Sequence, residues 1–254
     1  MSKKILVIPD TQIRPDNLEI NTPLLKAIGK LIVSERPDVV LHLGDHFDMQ
    51  SLSKYELIKK NRQVFDGAEV QADIEAGQAG LDLLLEDYYS LLHSQVVNRK
   101  RQYKPEFHFL IGNHEQRIER FPELQRLVTY ESMFRHTPWQ VHDFLKPLNI
   151  NGVHFVHYAY NAMSGKPIGG TAEYRLNKLK MSFVQGHEQT FKYAQEYLND
   201  GRQISALICG ACYLHDEQYK GYQGNNHFRG ALMLHNVKDG MYDLEQYSVG
   251  RLLG

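Results

Sequence analysis

Apolar and polar residues along the chain sort into short buried runs, each followed at once by a polar turn. Ile5-Leu6-Val7-Ile8-Pro9 runs into Asp10-Thr11-Gln12, and Val39-Val40-Leu41 runs through Leu43-Gly44 into Asp45-His46-Phe47-Asp48. Phe107-His108-Phe109-Leu110-Ile111 ends in Gly112-Asn113-His114-Glu115. Val153-His154-Phe155-Val156 ends in His157, and Ser182-Phe183-Val184-Gln185 ends in Gly186-His187-Glu188-Gln189. Runs of this length, bounded by Gly, Pro and Asp, read as buried strands ending in tight turns. Residues 204–208, 230–234 and 241–249 read as further strands, with Lys238-Asp239-Gly240 as a hairpin turn between the last two.

Helical periodicity fills the gaps. Thr22-Pro23-Leu24 opens a helix, with Thr as cap and Pro in the first turn, and Leu24, Leu25, Ile28, Leu31 and Ile32 share one face. Strand, helix and strand up to Asp45 then form a right-handed βαβ unit. From residue 51 to about 104 the strand pattern stops. Asp66-Gly67 starts a long helix to about Val97, on which Val70, Ile74, Gly77, Leu81, Leu84, Tyr88 and Leu91 recur at alternating spacings of four and three. Such a stripe packs a helix onto its own domain or mates with a second copy, so a homo-oligomer through the 66–97 helix stays open. Residues 115–128 read as a helix and 135–147 as a loop or short helices. Residues 164–170 read as a flexible connection or lid, and Thr171 caps another helix to Lys178.

Composition narrows the class. A chain of 254 residues, 42% hydrophobic and 23% charged, buries a sizeable core. It is expected to form one α/β domain over 1–254, with a helical insertion at about 51–104 and a strand-and-loop extension at about 203–254. A net charge of −1 gives no general electrostatic pull toward nucleic acid or membrane. No apolar stretch approaches the roughly 20 residues that span a bilayer, so a cytoplasmic location is expected. Cys209 and Cys212 are the only cysteines, too few for a disulfide scaffold or a zinc knuckle.

The chemistry lies at the strand ends. Sheet enzymes place reactive groups there because the sheet holds the roots of the loops still. Asp10, Gln12, Asp45, Asn113, His157, His187 and Gln189 are the oxygen and nitrogen donors that divalent metals take. Asp45 and Asp48, three apart on one turn, let one carboxylate bridge two cations while the other holds a neighbouring base. His42, His46, His108, His154 and His235 sit in or beside strands and read as hydrogen-bonded structural residues, His46 being the one to watch.

This ordered set resembles the calcineurin-like metallophosphoesterase superfamily, whose pattern is Asp-x-His, Gly-Asp-x-x-Asp, Gly-Asn-His-Glu, a lone His after a strand, then Gly-His-x-His. The resemblance covers about Lys4 to Gln189, with Gln12 and Gln189 standing where the family has His. It implies a four-layer α/β/β/α sandwich of two mixed sheets. It further implies one cation held by Asp10, Gln12, Asp45 and Gln189, and a second held by Asp45, Asn113, His157 and His187. Amide oxygens in place of imidazoles favour Mn²⁺, with Mg²⁺, Zn²⁺ or Fe as alternatives, or leave that site filled only with substrate. The resemblance places His114 over the phosphate as the catalytic group, held by Asp48.

The implied substrate is a phosphodiester of nucleic acid or a nucleotide, because Met49-Gln50 follows the Gly-Asp-x-x-Asp turn where protein phosphatases have Arg-Gly. A phosphomonoesterase and a non-catalytic interaction module on the same fold are the alternatives. Candidate substrate contacts are Arg117, near a helix start that favours phosphate, and Asn226, His227 and Arg229 of the Tyr/Asn/Gly/His-rich segment 213–229. Tyr222 and Asn225 join them, and Lys59, Lys60, Arg62, the 99–101 run and Lys104 form a candidate phosphate-binding rim. The helical insertion and Asn/His-rich tail also look like phosphoesterases of bacteriophage genomes.

Overall fold

In the computed structural model the chain begins with strand β1 (Lys3–Ile8), whose side chains alternate between two cores. Leu6 and Ile8 enter one, while Ile5 and Val7 enter another. Neighbouring strand residues face opposite sides, so a strand this apolar needs cover on both faces. The structure describes residues 1–60, 64–217 and 222–254, with all side chains except those of Tyr55, Glu56, Lys59, Tyr222 and Gln223. Arg62 and the side chains of Lys59 and Tyr222 therefore lie outside the described residues.

Helix α1 (Leu18–Glu35) leads to β2 (Val39–His42), and α2 (Lys54–Lys59) and α3 (Gly67–Val97) precede β3 (Glu106–Leu110). Short α4 (Tyr130–Met133) leads to β4 (Gln140–His142), β5 (Leu148–Ile150) and β6 (Val153–Val156). Then come α5 (Ala172–Leu179), β7 (Phe183–Gln185), β8 (Phe191–Tyr197), β9 (Gln203–Cys209), β10 (Gly230–Lys238), β11 (Met241–Ser248) and α6 (Val249–Leu253).

The first sheet has the order β11-β10-β1-β2-β3-β4, its last four strands parallel and β10 and β11 antiparallel. The second has the order β5-β6-β7-β9-β8, parallel at its centre with an antiparallel strand at each edge. One core lies between the first sheet and α1 and α3. A second, with Ile5, Val39 and Leu41 facing Phe155, Val184 and Leu207, lies between the sheets. A third, with Phe183, Ala206 and Ile208, lies under α5. This is the expected α/β/β/α sandwich of two mixed sheets.

Helix α3 forms where the repeat predicts it, and Asp66 caps it by accepting from the Ala68 N–H. Its stripe is spent inside the chain: Val70, Ile74, Leu81, Leu84 and Tyr88 are buried in the core shared with α1. That face is thus unavailable to a second copy. Gly77 sits so close to Phe47 that an added Cβ would lie 2.1 Å from the ring. The helix runs from the strand ends at Phe47 to the opposite edge of the sheet, where Tyr103 donates to the Pro37 carbonyl ahead of β2. The basic run 99–101 and Lys104 follow the helix to that far edge, so they do not rim the strand-end turns. Lys60 is paired with Glu69 at 3.0 Å.

Local chemistry moves several boundaries. α1 starts at Leu18, not Thr22, because Asn17 Oδ1 accepts from the Arg14 N–H and fixes an earlier turn. Pro23, the sixth residue of α1, therefore lies inside the helix and lacks the N–H that would bond the Glu19 carbonyl. Residues 115–128 form two 3₁₀ turns, Glu115–Arg120 and Leu124–Arg126, in place of the expected helix. Phe121 precedes Pro122 and takes an extended conformation, which interrupts a helix there. Residues 140–142, read as loop, pair with β3 as an edge strand. β8 was missed, although Phe191-Lys192-Tyr193-Ala194 alternates toward the sheet. Among the described residues no helix is long and apolar enough to cross a membrane.

Candidate metal centre

Beyond the ends of β1 and β2 the two segments stay zipped together. Gln12 N–H donates to the Asp45 carbonyl at 2.9 Å, Ile13 N–H to His46 at 2.7 Å, and Asp48 N–H back to Ile13 at 3.1 Å. This short continuation of the parallel ladder holds Asp10, Gln12, Asp45 and Asp48 in fixed relation. Gln12, Asp45, His187 and Gln189 all take left-handed backbone conformations, with φ between 45° and 69°. Non-glycine residues reach that region at a cost of about 1–3 kcal/mol each, and such strain gathers where function requires an orientation.

Two glycines let the turns close on one point. A Cβ at Gly112 would lie 2.1 Å from Asp45 Oδ1, and one at Gly186 would lie 2.4 Å from Asp10 Oδ1. Asp45 Oδ1 instead accepts from the His114 N–H at 2.9 Å, and Asp10 Oδ1 from the His187 N–H at 3.0 Å. Four of the five turns are thereby laced through the two carboxylates.

One potential ligand atom from each of Asp45, His157 and His187 lies within 4.8 Å of the others. The His157 Nδ1–H donates to the Leu43 carbonyl at 2.8 Å, which aims Nε2 at Asn113 Oδ1, 2.9 Å away. An imidazole nitrogen and an amide oxygen so placed need a proton or a cation between them. Among the described residues, Asp10 Oδ2 and Gln12 Oε1 are fully buried without a hydrogen-bond partner. Buried oxygens left bare are costly, and a hard cation accepts both. The donor set therefore fits divalent metals. Gln189 Oε1 accepts from the Tyr213 hydroxyl at 2.8 Å.

Electrostatics follow from burial of so many ionisable groups. Burial pushes the Asp10 carboxyl up to about 6, helped by the neighbouring Asp45 charge. Burial opposes the Asp45 charge too, but His114 and His157 hold it well below the usual carboxylate range. Burial works against the charge on His157, yet Asp45 and then Asp10 raise it to about 9. Burial and the nearby His157 depress His187 to about 4.

His114 stands beside this cluster. Its Nδ1 is 2.7 Å from Asp48 Oδ1, and its Nε2 is 3.7 Å from Asp45 Oδ2. Burial disfavours the Asp48 charge, but the hydrogen bond from His114, with Arg117 and Arg14 nearby, lowers its carboxyl to about 2.

Three residues support these turns from behind, of which Arg175 carried no sequence signal. The Glu115 carboxylate accepts from the backbone N–H groups of Asp45, His46, Phe47 and Gly112 at 2.7–3.0 Å, clamping two strand-end turns together. His46 links Thr11 Oγ1, at 2.6 Å, to the Gly77 carbonyl of α3, at 2.8 Å. Buried Arg175 pairs with Glu188, between His187 and Gln189, and donates to the Gly170 carbonyl.

The candidate substrate contacts fall differently. Arg117 Nη1 donates to the Asp48 and Met49 carbonyls at 2.7 and 3.2 Å, bracing the turn. Arg229 holds its own loop, bonding the Leu214 and Asn225 carbonyls and Asp216, with its guanidinium 5.1 Å above the Tyr213 ring. His227 Nδ1 bonds the Gly224 carbonyl at 3.2 Å, Asn225 bonds Glu217, and Asn226 is exposed. The loop meets the centre through Tyr213, a residue the sequence reading passed over.

A family model described as calcineurin-like phosphoesterase matches residues 3–210. One solved structure aligns over 98% of this chain and 100% of its own at 11% identity, with a TM-score of 0.40, too slight a likeness to argue from. No curated protein matches.

Proposed function

The chain belongs to the calcineurin-like phosphoesterase family and is a metal-dependent phosphoester hydrolase, and we propose that it cleaves a phosphodiester of nucleic acid or a nucleotide at a two-cation centre. One observation carries this reading: Asp10 Oδ2 and Gln12 Oε1 are buried, bare oxygens joined by backbone hydrogen bonds to the Asp45, His157 and His187 cluster. On this reading Asp10, Gln12, Asp45 and Gln189 hold one cation, and Asp45, Asn113, His157 and His187 hold the second. Manganese is favoured because two amide oxygens stand where imidazoles would select softer metals. Bound there, the cations supply the charge that draws in the phosphate and lowers the pKa of the attacking water.

The chain's own groups set the rest of the reaction. Asp48 holds the His114 Nδ1–H, so Nε2 faces the substrate. As water attacks phosphorus and the ester P–O bond breaks, Nε2 gives a proton to the departing oxygen. Arg14 and Arg117 direct guanidinium nitrogens to Asp48, the partner of His114, and to its backbone. They are not poised to clamp a terminal phosphate dianion, which favours a singly charged diester over a monoester. Met49-Gln50 after the Asp45 turn, in place of Arg-Gly, points away from protein phosphatases.

The test compares bis-p-nitrophenyl phosphate with p-nitrophenyl phosphate in Mn²⁺, followed by DNA, RNA and cyclic nucleotides. The diester is expected to turn over faster, and His114→Ala to lower kcat by roughly 10²–10⁴-fold. Unchanged activity in His114→Ala rejects the mechanism. A faster monoester rejects the substrate assignment, and inactivity with every metal favours an interaction module.

A further inference from the structure

Behind Asp48 lies a buried polar arm that the reaction as described leaves unused. Arg14 Nη1 donates to Asp48 Oδ2 at 2.9 Å, and the same nitrogen lies 3.4 Å from both oxygens of Glu217. The side chains of Arg14, Asp48 and Glu217 are at most 8% exposed. Glu217 Oε1 accepts from His215 Nε2 at 2.8 Å. His215 Nδ1 faces Asn21 Nδ2 at 3.0 Å, which makes Nδ1 the acceptor and fixes the proton on Nε2. The His215 ring stacks on Tyr213 with centroids 4.4 Å apart. Arg14 is thus held from behind by the segment 213–217 and from the side by Asp16, at 2.8 Å.

Stability does not explain such an arm. Removing a guanidinium and two carboxylates from water costs about as much as their attraction returns, so an apolar cluster would serve as well. What the arm adds is direction. Asp48 has two oxygens: Oδ1 takes the His114 Nδ1–H, and Oδ2 is fixed by Arg14. A carboxylate pinned at one oxygen cannot rotate the other away, so the ring of His114 keeps its tautomer and its aim.

We propose that Arg14 is a positioning residue for His114, acting through Asp48 and held in place by Glu217 and His215. The proposal rests on the reading of His114 as proton donor to the leaving oxygen, and the experiment separates the two. Methyl 4-nitrophenyl phosphate releases a good leaving group that needs little protonation, whereas methyl phenyl phosphate releases a poor one that needs it. Both are hydrolysed in Mn²⁺ by wild type, Arg14→Gln, His114→Ala and the double variant.

Arg14→Gln is expected to slow the phenyl ester by roughly tenfold or more, to leave the nitrophenyl ester within about threefold, and to add no loss in the His114→Ala background. Its Mn²⁺ affinity by calorimetry is expected to match wild type. Equal losses on both esters, a further loss in the double variant, or weakened Mn²⁺ binding overturns the positioning role. If His114→Ala itself slows both esters equally, the reading of His114 fails instead. Should Arg14→Gln not fold, Glu217→Gln removes the arm while leaving Arg14 on Asp48. The same split is then expected at smaller size, and its absence overturns the proposal.

Discussion

Gln12 and Gln189 are assigned to the same cation, and their amide oxygens are harder donors than the imidazoles they replace. Zinc gains most from nitrogen ligands, manganese least. The double change Gln12→His and Gln189→His is therefore expected to raise Zn²⁺ affinity by on the order of tenfold while moving Mn²⁺ affinity little, as read by calorimetry with each metal. Tyr213 bears on the same site, because its hydroxyl fixes the Gln189 amide at 2.8 Å. Tyr213→Phe is expected to weaken Mn²⁺ binding about 10–100-fold, the usual effect of losing an outer hydrogen bond to a ligand. Intact Mn²⁺ affinity would show that the amide needs no support.

The donors at the strand ends were legible in the sequence because each follows an apolar run directly. Tyr213, Arg14 and Glu217 were not. The bonds that tie them to Gln189, Asp48 and Arg14 span 24 or more residues, and nothing local in a Tyr, Arg or Glu says which distant group it will meet.

Among the elements, α3 ties the helical segment before β3 to the chemistry. Its Gly77 rests on Phe47, between Asp45 and Asp48, and its Gly77 carbonyl accepts from His46. Alanine at 77 would gain about 1 kcal/mol of helix propensity but drive a methyl into a buried ring, at about 1–3 kcal/mol or more. Gly77→Ala is expected to lose roughly 1–2 kcal/mol net, and to slow hydrolysis because Phe47 moves with the catalytic turn. Gly67, in the first turn of the same helix, has nothing within 4 Å of an added Cβ, so Gly67→Ala is expected to gain about 0.4–1 kcal/mol. Urea unfolding of the two variants should shift in opposite directions, and a neutral Gly77→Ala would mean that α3 is not seated on Phe47. The helix was legible because its repeat is long and its cap explicit. The segment after His114 misled because apolar spacing alone ignored Pro122, and β8 was missed because an edge strand carries only half a pattern.

At the scale of the molecule, both sheets, helix α3 and the 213–217 segment converge on carboxylates that repel each other without a cation. Binding to the folded state alone stabilises it by about 2.7 kcal/mol per site at a metal concentration one hundred times Kd, and each kcal/mol moves Tm by about 2–4 °C at this size. The sign of the pH dependence follows from two raised values. His157 is raised to about 9, so its protonated form stabilises the metal-free fold fully below its unfolded value of 6.5, and that contribution is lost as pH rises through 9. Asp10 is raised to about 6, so its protonated form stabilises below 3.8, and that contribution is lost as pH passes 6. As pH rises the metal-free protein therefore loses stability through Asp10 from 3.8 to about 6 and through His157 from 6.5 to about 9. A cation needs the same two groups deprotonated, so its affinity climbs over the same range. The increase in Tm caused by Mn²⁺ is therefore expected to be larger at pH 8 than at pH 6, and to be largely lost at both in Asp45→Asn, which weakens the one carboxylate assigned to both cations. A differential scanning measurement with and without EDTA decides it. An increment that shrinks as pH rises, or one that survives Asp45→Asn intact, would place the metal somewhere other than these turns.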